Sequence, residues 1–149
     1  ATIEKLNRVI GRSALASKFI SLFYGELETN GTLVYCNAGH TPALLMVDGG
    51  FRELSRGGAV LGPNPNATYE RGYVDLVPGS VLLAYTDGIS EAENASGEAF
   101  GTDSLRAILA ARRFATARDL VEEVFAAVQA FSKTDPPVDD QTVVAIVRG

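Results

Sequence analysis

Val81-Leu-Leu-Ala-Tyr-Thr86, followed at once by Asp87-Gly88, is the stretch around which the chain organises itself. An unbroken apolar run of this length reads as a β-strand buried on both faces, and the Pro78-Gly79 turn before it and Asp87-Gly88 after it set its ends. A second run, Gln141 to Val147, has the same character and is preceded by Asp139-Asp140. If the two strands are antiparallel neighbours, the end of one lies beside the start of the other, and the carboxylates converge at one sheet edge. Between them, Ser90 to Gly101 is polar and Gly-containing and reads as a surface loop. Leu105, Ile108 and Leu109 mark one helix. Thr116 with Asp119 three residues on forms a capping box for a second, whose buried stripe is Leu120, Val121, Val124, Phe125, Val128 and Phe131. Thr134-Asp135-Pro136-Pro137 stops it.

Upstream, Ile3, Leu6, Val9 and Ile10 recur at helical spacing in Thr2 to Gly11, a short amphipathic helix closed by the glycine. Lys18 to Leu27 is rich in aromatic and branched residues, Asn30-Gly31 is a tight-hairpin pair, and Thr32 to Asn37 returns antiparallel. Ala43 to Val47, the turn Asp48-Gly49-Gly50, and Phe51 to Leu54 make a second hairpin. Ser55 to Ala67, with Gly57-Gly58 and Gly62-Pro63-Asn64-Pro65, reads as a loop that excludes helix and central strand. Thr68 to Leu76 alternates as a strand does. The order of one helix, about six strands in hairpins, two helices and a last strand implies antiparallel sheets with segregated helices, an α+β fold.

The 149 residues, with 46% hydrophobic and 21% charged side chains, suit one globular domain spanning 1–149. A net charge of -5 and a pI near 4.8 argue against nucleic-acid binding, which needs clustered Lys and Arg. The longest basic run, Arg112-Arg113, reads as a solvated helix end. Cys36 is the single cysteine, so no internal disulfide is possible, and it reads as a buried structural thiol. No stretch approaches the roughly 18 to 20 apolar residues of a spanning helix, so no membrane contact and a cytoplasmic location are expected.

Convergent carboxylates without histidine or thiolate partners suit hard cations such as Mg2+ or Mn2+, which take oxygen ligands and can activate water toward a phosphoryl group. Asp87-Gly88 and Asp139-Asp140 are equally what turns and caps use, so spacing alone leaves both readings open. The sequence contains one histidine, no GxxxxGK phosphate loop and no GxSxG elbow.

Five stretches, Phe19 to Leu27, Gly31 to Leu44 with Cys36-Asn-Ala-Gly-His40, Leu76 to Ala92 with Thr86-Asp87-Gly88, Asn94 to Gly101, and Asp139-Asp-Gln-Thr142, resemble in order the signature blocks of SpoIIE-type phosphatases. The resemblance covers nearly the whole chain. It implies a PPM-type fold of two packed antiparallel sheets flanked by helices, a binuclear Mn2+ or Mg2+ site, and hydrolysis of phosphoserine or phosphothreonine on a regulatory protein of the anti-sigma-factor-antagonist type. Asp87 and Asp139 resemble metal-ligating aspartates and Asp140 is a further candidate ligand, with Gly88 and Thr142 supporting the metal loop. No side chain is assigned as a catalytic nucleophile or acid. His40 is expected to fix its loop by hydrogen bonds, and Glu91 and Glu98 to be surface or loop-ordering groups.

Members of that family begin with a strand and an Asp-x-x-Gly-His-Gly type block whose Asp bridges both metals, and this sequence has no such block. The expectation is therefore the C-terminal, larger part of such a domain, inactive by itself, with an uncovered strand edge that favours a homodimer. The alternative is a non-catalytic interaction or dimerisation module derived from the same fold.

Overall fold

A computed structural model describes residues 2–12, 19–133 and 137–149, with two compact units, Ala1–Pro42 with Leu54–Leu76, and Ala43–Glu53 with Val77–Gly149. The expected strand start at Lys18 and the stop signal at Thr134, Asp135 and Pro136 lie outside the described residues.

In the first unit, α1 (Thr2–Arg12) precedes β1 (Leu22–Leu27) and β2 (Thr32–Ala38), which pair as an antiparallel hairpin from Leu22↔Ala38 to Leu27↔Leu33. The Asn30 side chain holds the turn by accepting the Thr32 N–H at 2.8 Å. The other edge of β2 is shared by β6 (Gly72–Asp75), antiparallel, and by β5 (Gly57–Gly58), parallel. β5 departs from the sequence reading of Ser55 to Ala67 as a loop, and it makes the sheet mixed. The two glycines that argued against a strand are what permit it, because a Cβ on Gly57 would overlap the Asn37 carbonyl.

The buried side of α1 also differs from the hydrophobic spacing. Ile3 and Ile10 are buried, but Leu6 is 39% and Val9 66% exposed, and the fully buried residue between them is Asn7. Its amide donates to the Asn64 carbonyl and accepts the Gly62 N–H, both at 2.8 Å, fastening the helix to the Gly/Pro-rich loop. The helix runs one residue past Gly11, whose missing side chain lets the Gly62 carbonyl approach. Asn7→Ala leaves the buried Gly62 N–H without its acceptor, so a loss of about 1–3 kcal/mol is expected, read as a lower denaturant midpoint at unchanged slope. Cys36 is buried beside this helix, and burial pushes its thiol pKa up.

The second unit carries β3 (Ala43–Val47), β4 (Gly50–Leu54, up to Glu53), β7 (Val81–Tyr85) and β8 (Val143–Val147), in the sheet order β4-β3-β7-β8. Asp48 and Gly49, with φ of 50° and 75°, make the β3–β4 turn, the left-handed pair expected of a two-residue hairpin loop. β7 lies between β3 and β8, is antiparallel to both, and is buried at four of its five residues, which accords with its apolar sequence. Leu83 packs with Leu105 and Leu109 of α3 (Gly101–Ala111) and Leu120 and Val124 of α4 (Ala117–Ser132) in one core. Burial stabilises each such side chain by roughly 1.5–3 kcal/mol. The Thr116 hydroxyl caps α4 by accepting the Asp119 N–H at 3.1 Å. The helix ends at left-handed Lys133, φ 53°, whose N–H returns to the Gln129 carbonyl. A short helix, α2 (Asp87–Ser90), replaces the simple turn expected at Asp87-Gly88.

Candidate metal centre

The pairing of β7 with β8 ends at Tyr85↔Val143, and beyond it the two chains remain tied. Thr86 N–H donates to the Thr142 carbonyl at 3.1 Å. The Thr86 hydroxyl accepts the Thr142 N–H at 3.0 Å and donates to the Asp140 carbonyl at 3.2 Å. The Gln141 amide donates to the Gly88 carbonyl at 3.1 Å. The segment before β8 is thereby fixed against the segment after β7, and Asp87 with Asp139 and Asp140 share one end of the sheet.

Gly88 is buried at the closest point. A Cβ there would collide with the Asp140 carbonyl oxygen and lie 3.0 Å from its carbon, so only glycine allows the two backbones to meet. The two leading aspartates are held alike. Asp87 Oδ1 accepts the Gly88 N–H at 3.0 Å, and Asp139 Oδ1 accepts the Asp140 N–H at 2.7 Å. Each carboxylate is thus oriented through one oxygen, while the group stays exposed and the other oxygen can meet a ligand. Beside this edge a cavity of about 290 Å³ is walled by Gly88, Glu91, Glu93, Asp139 and Gln141. The donor set is oxygen only, the kind that suits Mn2+ or Mg2+ rather than zinc or copper. Among the described residues, no three or more His, Cys, Asp or Glu side chains group as a metal site. The edge is a pair of strand-end carboxylate points with a neighbour in Asp140.

Thr142 reaches the loop through its backbone, and the side chain that ties the two segments is Thr86. Neither Thr86 nor Gln141 is given a role from the sequence, although both stand beside the aspartates within the stretches Thr86-Asp87-Gly88 and Asp139-Asp-Gln-Thr142. Glu91 lines the cavity. Glu98 accepts the Asn94 amide at 2.8 Å within a turn whose Asn94 Oδ1 takes the Ser96 and Glu98 N–H groups, a loop-ordering part. His40 is half-buried in the first unit. Its N–H and carbonyl are clamped by the Asn37 amide, each at 2.8 Å, and its Nδ1 lies 2.9 Å from the Thr41 carbonyl, which can only accept, so Nδ1 carries the proton. These contacts fix the loop after β2.

The chain is 30% identical over 132 residues to protein IcfG of Synechocystis sp., covering 87% of this chain and 21% of that protein. It is 26% identical over 126 residues to the phosphoserine phosphatase RsbU of Bacillus subtilis, covering 83% of this chain and 37% of that protein. It therefore spans well under half of these relatives. A solved structure of the phosphatase domain of the cell fate determinant SpoIIE from Bacillus subtilis, presoaked with Mn, superposes with a TM-score of 0.70 at 14% identity, over 98% of this chain and 64% of that one. The fold is the α+β PPM phosphatase fold. The family described as Stage II sporulation protein E (SpoIIE) matches residues 1–149, and with the ordered motifs and the fold in agreement, this chain belongs to the SpoIIE family.

Proposed function

We propose that residues 1–149 are part of a single metal-dependent protein phosphatase domain that releases phosphate from phosphoserine or phosphothreonine. The observation that carries this reading is the β7–β8 register, with Thr86 and Gly88 locking Asp87 to Asp139 and Asp140 at one sheet end. Family membership and likeness to a phosphoserine phosphatase support it.

Asp87 and Asp139 would hold the cation through the oxygens that do not accept a backbone N–H, with Asp140 as the adjacent carboxylate. Mn2+ or Mg2+ held there would supply Lewis acidity toward water and toward the phosphoryl group. The chain's own residues do the positioning. One backbone N–H bond orients each carboxylate, Gly88 allows close approach, and Thr86 and Gln141 hold the segment before β8 in place. Glu91 and Glu93 give the neighbouring cavity a negative wall, which raises the local cation concentration and disfavours a bare phosphate there.

The substrate we infer is a phosphorylated regulatory protein of the anti-sigma-factor-antagonist type, met in the cytoplasm. The test is phosphate release from such a phosphoprotein by a full-length protein containing this chain. Turnover should fall at least about 100-fold on chelation and return with Mn2+ or Mg2+. Undiminished release in excess chelator would sink the reading.

A further inference from the structure

The cavity beside the aspartates is walled by two stretches of the second unit: Glu91, Ala92 and Glu93 after α2, and Ser132, Val138 and Asp139 from the last residue of α4 toward β8. The Gln141 amide ties them at the Gly88 carbonyl. A second tie uses none of the residues considered so far for the site. Phe100, at the end of the Asn94 to Gly101 motif, is bound to the first stretch by its backbone: its N–H donates to the Ala92 carbonyl at 2.8 Å, and Glu93 and Ala99 form an antiparallel bridge. The Phe100 ring is buried and meets the ring of Phe131 edge to face, with centroids 5.4 Å apart and planes at 69°. Phe131 is the residue before Ser132, so its ring belongs to the second stretch. Each ring is thus anchored to one wall, and their contact links the two.

We propose that Phe131 is a positioning residue for the cation site: through Phe100 it holds the approach to Asp139 at a set distance from the Glu91–Glu93 wall, and so sets how tightly the site takes Mn2+ or Mg2+. The inference rests on the reading of Asp87 and Asp139 as cation ligands. Edge-to-face rings have a preferred separation and angle, which an aliphatic pair filling the same space lacks, so the contact specifies a position as well as burying area. Asp139 is oriented by the N–H of Asp140 in its own segment, so a shift of that segment carries the carboxylate with it. A hard cation binds in proportion to how well its oxygens are placed, Mg2+ most strictly, and groups behind the ligands commonly set its affinity.

The experiment measures Mn2+ binding by a full-length protein containing this chain, without substrate, from the paramagnetic resonance signal of the free ion. Asp87→Asn identifies the binding that belongs to this site. Phe131→Ala should weaken that binding about three- to tenfold in protein that circular dichroism verifies as folded. Phe131→Tyr keeps the ring and should bind within about twofold of the unaltered protein. Val124→Ala supplies the contrast: Val124 is buried in the same helix and lines neither wall, so its loss lowers the denaturant midpoint and leaves Mn2+ affinity unchanged. Unchanged affinity in folded Phe131→Ala, an equal loss in Val124→Ala, or no recovery in Phe131→Tyr overturns the positioning role while the cation site stands. Binding that Asp87→Asn leaves untouched, or no binding by the unaltered protein, overturns the cation site and this inference with it.

Discussion

Asp139→Asn and Asp87→Asn should each lower phosphate release by a full-length protein containing this chain roughly 10³-fold, while its thermal midpoint hardly moves. Asparagine keeps the shape of aspartate and the Oδ1 that accepts the Gly88 or Asp140 N–H, so local geometry survives. It loses the charge on which a hard cation depends, and several kcal/mol of charge stabilisation in the transition state corresponds to about that factor. Both carboxylates are exposed, and surface exchanges usually change stability by no more than about 0.5 kcal/mol. The pair of readouts decides the matter. A large loss of rate with an unmoved midpoint is the signature of a ligand, whereas unchanged rates in both variants would return Asp87 and Asp139 to the role of turn residues.

Gly88→Ala should have the converse profile, costing both rate and stability. The added methyl meets the Asp140 carbonyl, and neither partner can yield cheaply: Gly88 lies in α2, and the Asp140 carbonyl is tied to the Thr86 hydroxyl. Overpacking of this kind costs about 1–3 kcal/mol. Relief requires the two segments to separate, which spreads the aspartates, and a displacement near 1 Å in a positioned site can cost about 100-fold in rate. Turnover and chemical denaturation of the same variant check both halves. An alanine variant with normal rate and normal midpoint would mean that the close approach has no bearing on the edge.

Much of this arrangement was legible from residue types. β7 announced itself by an apolar run that burial on both faces favours, and β8 by a second apolar run with acidic residues before it, although β8 ends the sheet and Val144 is 57% exposed. The Thr116 cap and the Asp48-Gly49 turn are local devices, encoded in a few adjacent residues, and both were readable. What escaped reading depends on contacts distant in sequence. Asn7 is polar, so it cannot enter a hydrophobic stripe, yet it is more deeply buried than Leu6 or Val9 because Gly62 and Asn64 supply its hydrogen bonds. Gly57 and Gly58 look like breakers until β2 is placed beside them. At the site, Asp87, Asp139 and Asp140 could be singled out by their places at two strand ends and by the motifs that hold them, although turns and caps use the same residues. Thr86 and Gln141 could not, since their partners are backbone atoms more than fifty residues away.

The joining of β7 to β8 also has a bearing on biosynthesis. Thr86 and Thr142, which clasp across that pair, are 56 residues apart. At translation rates of about 5–20 residues per second, roughly three to eleven seconds pass between making one and making the other. During that interval β3 can already cover one edge of β7, but the other edge, Val-Leu-Leu-Ala-Tyr, has nothing to pair with. Such an apolar, uncharged edge is the kind that recruits foreign strands, so the nascent chain passes through a window of vulnerability to aggregation. The acidic edge is assembled only when that window closes, so the joining of the segments that carry Asp87, Asp139 and Asp140 is a late marker of a correctly finished sheet.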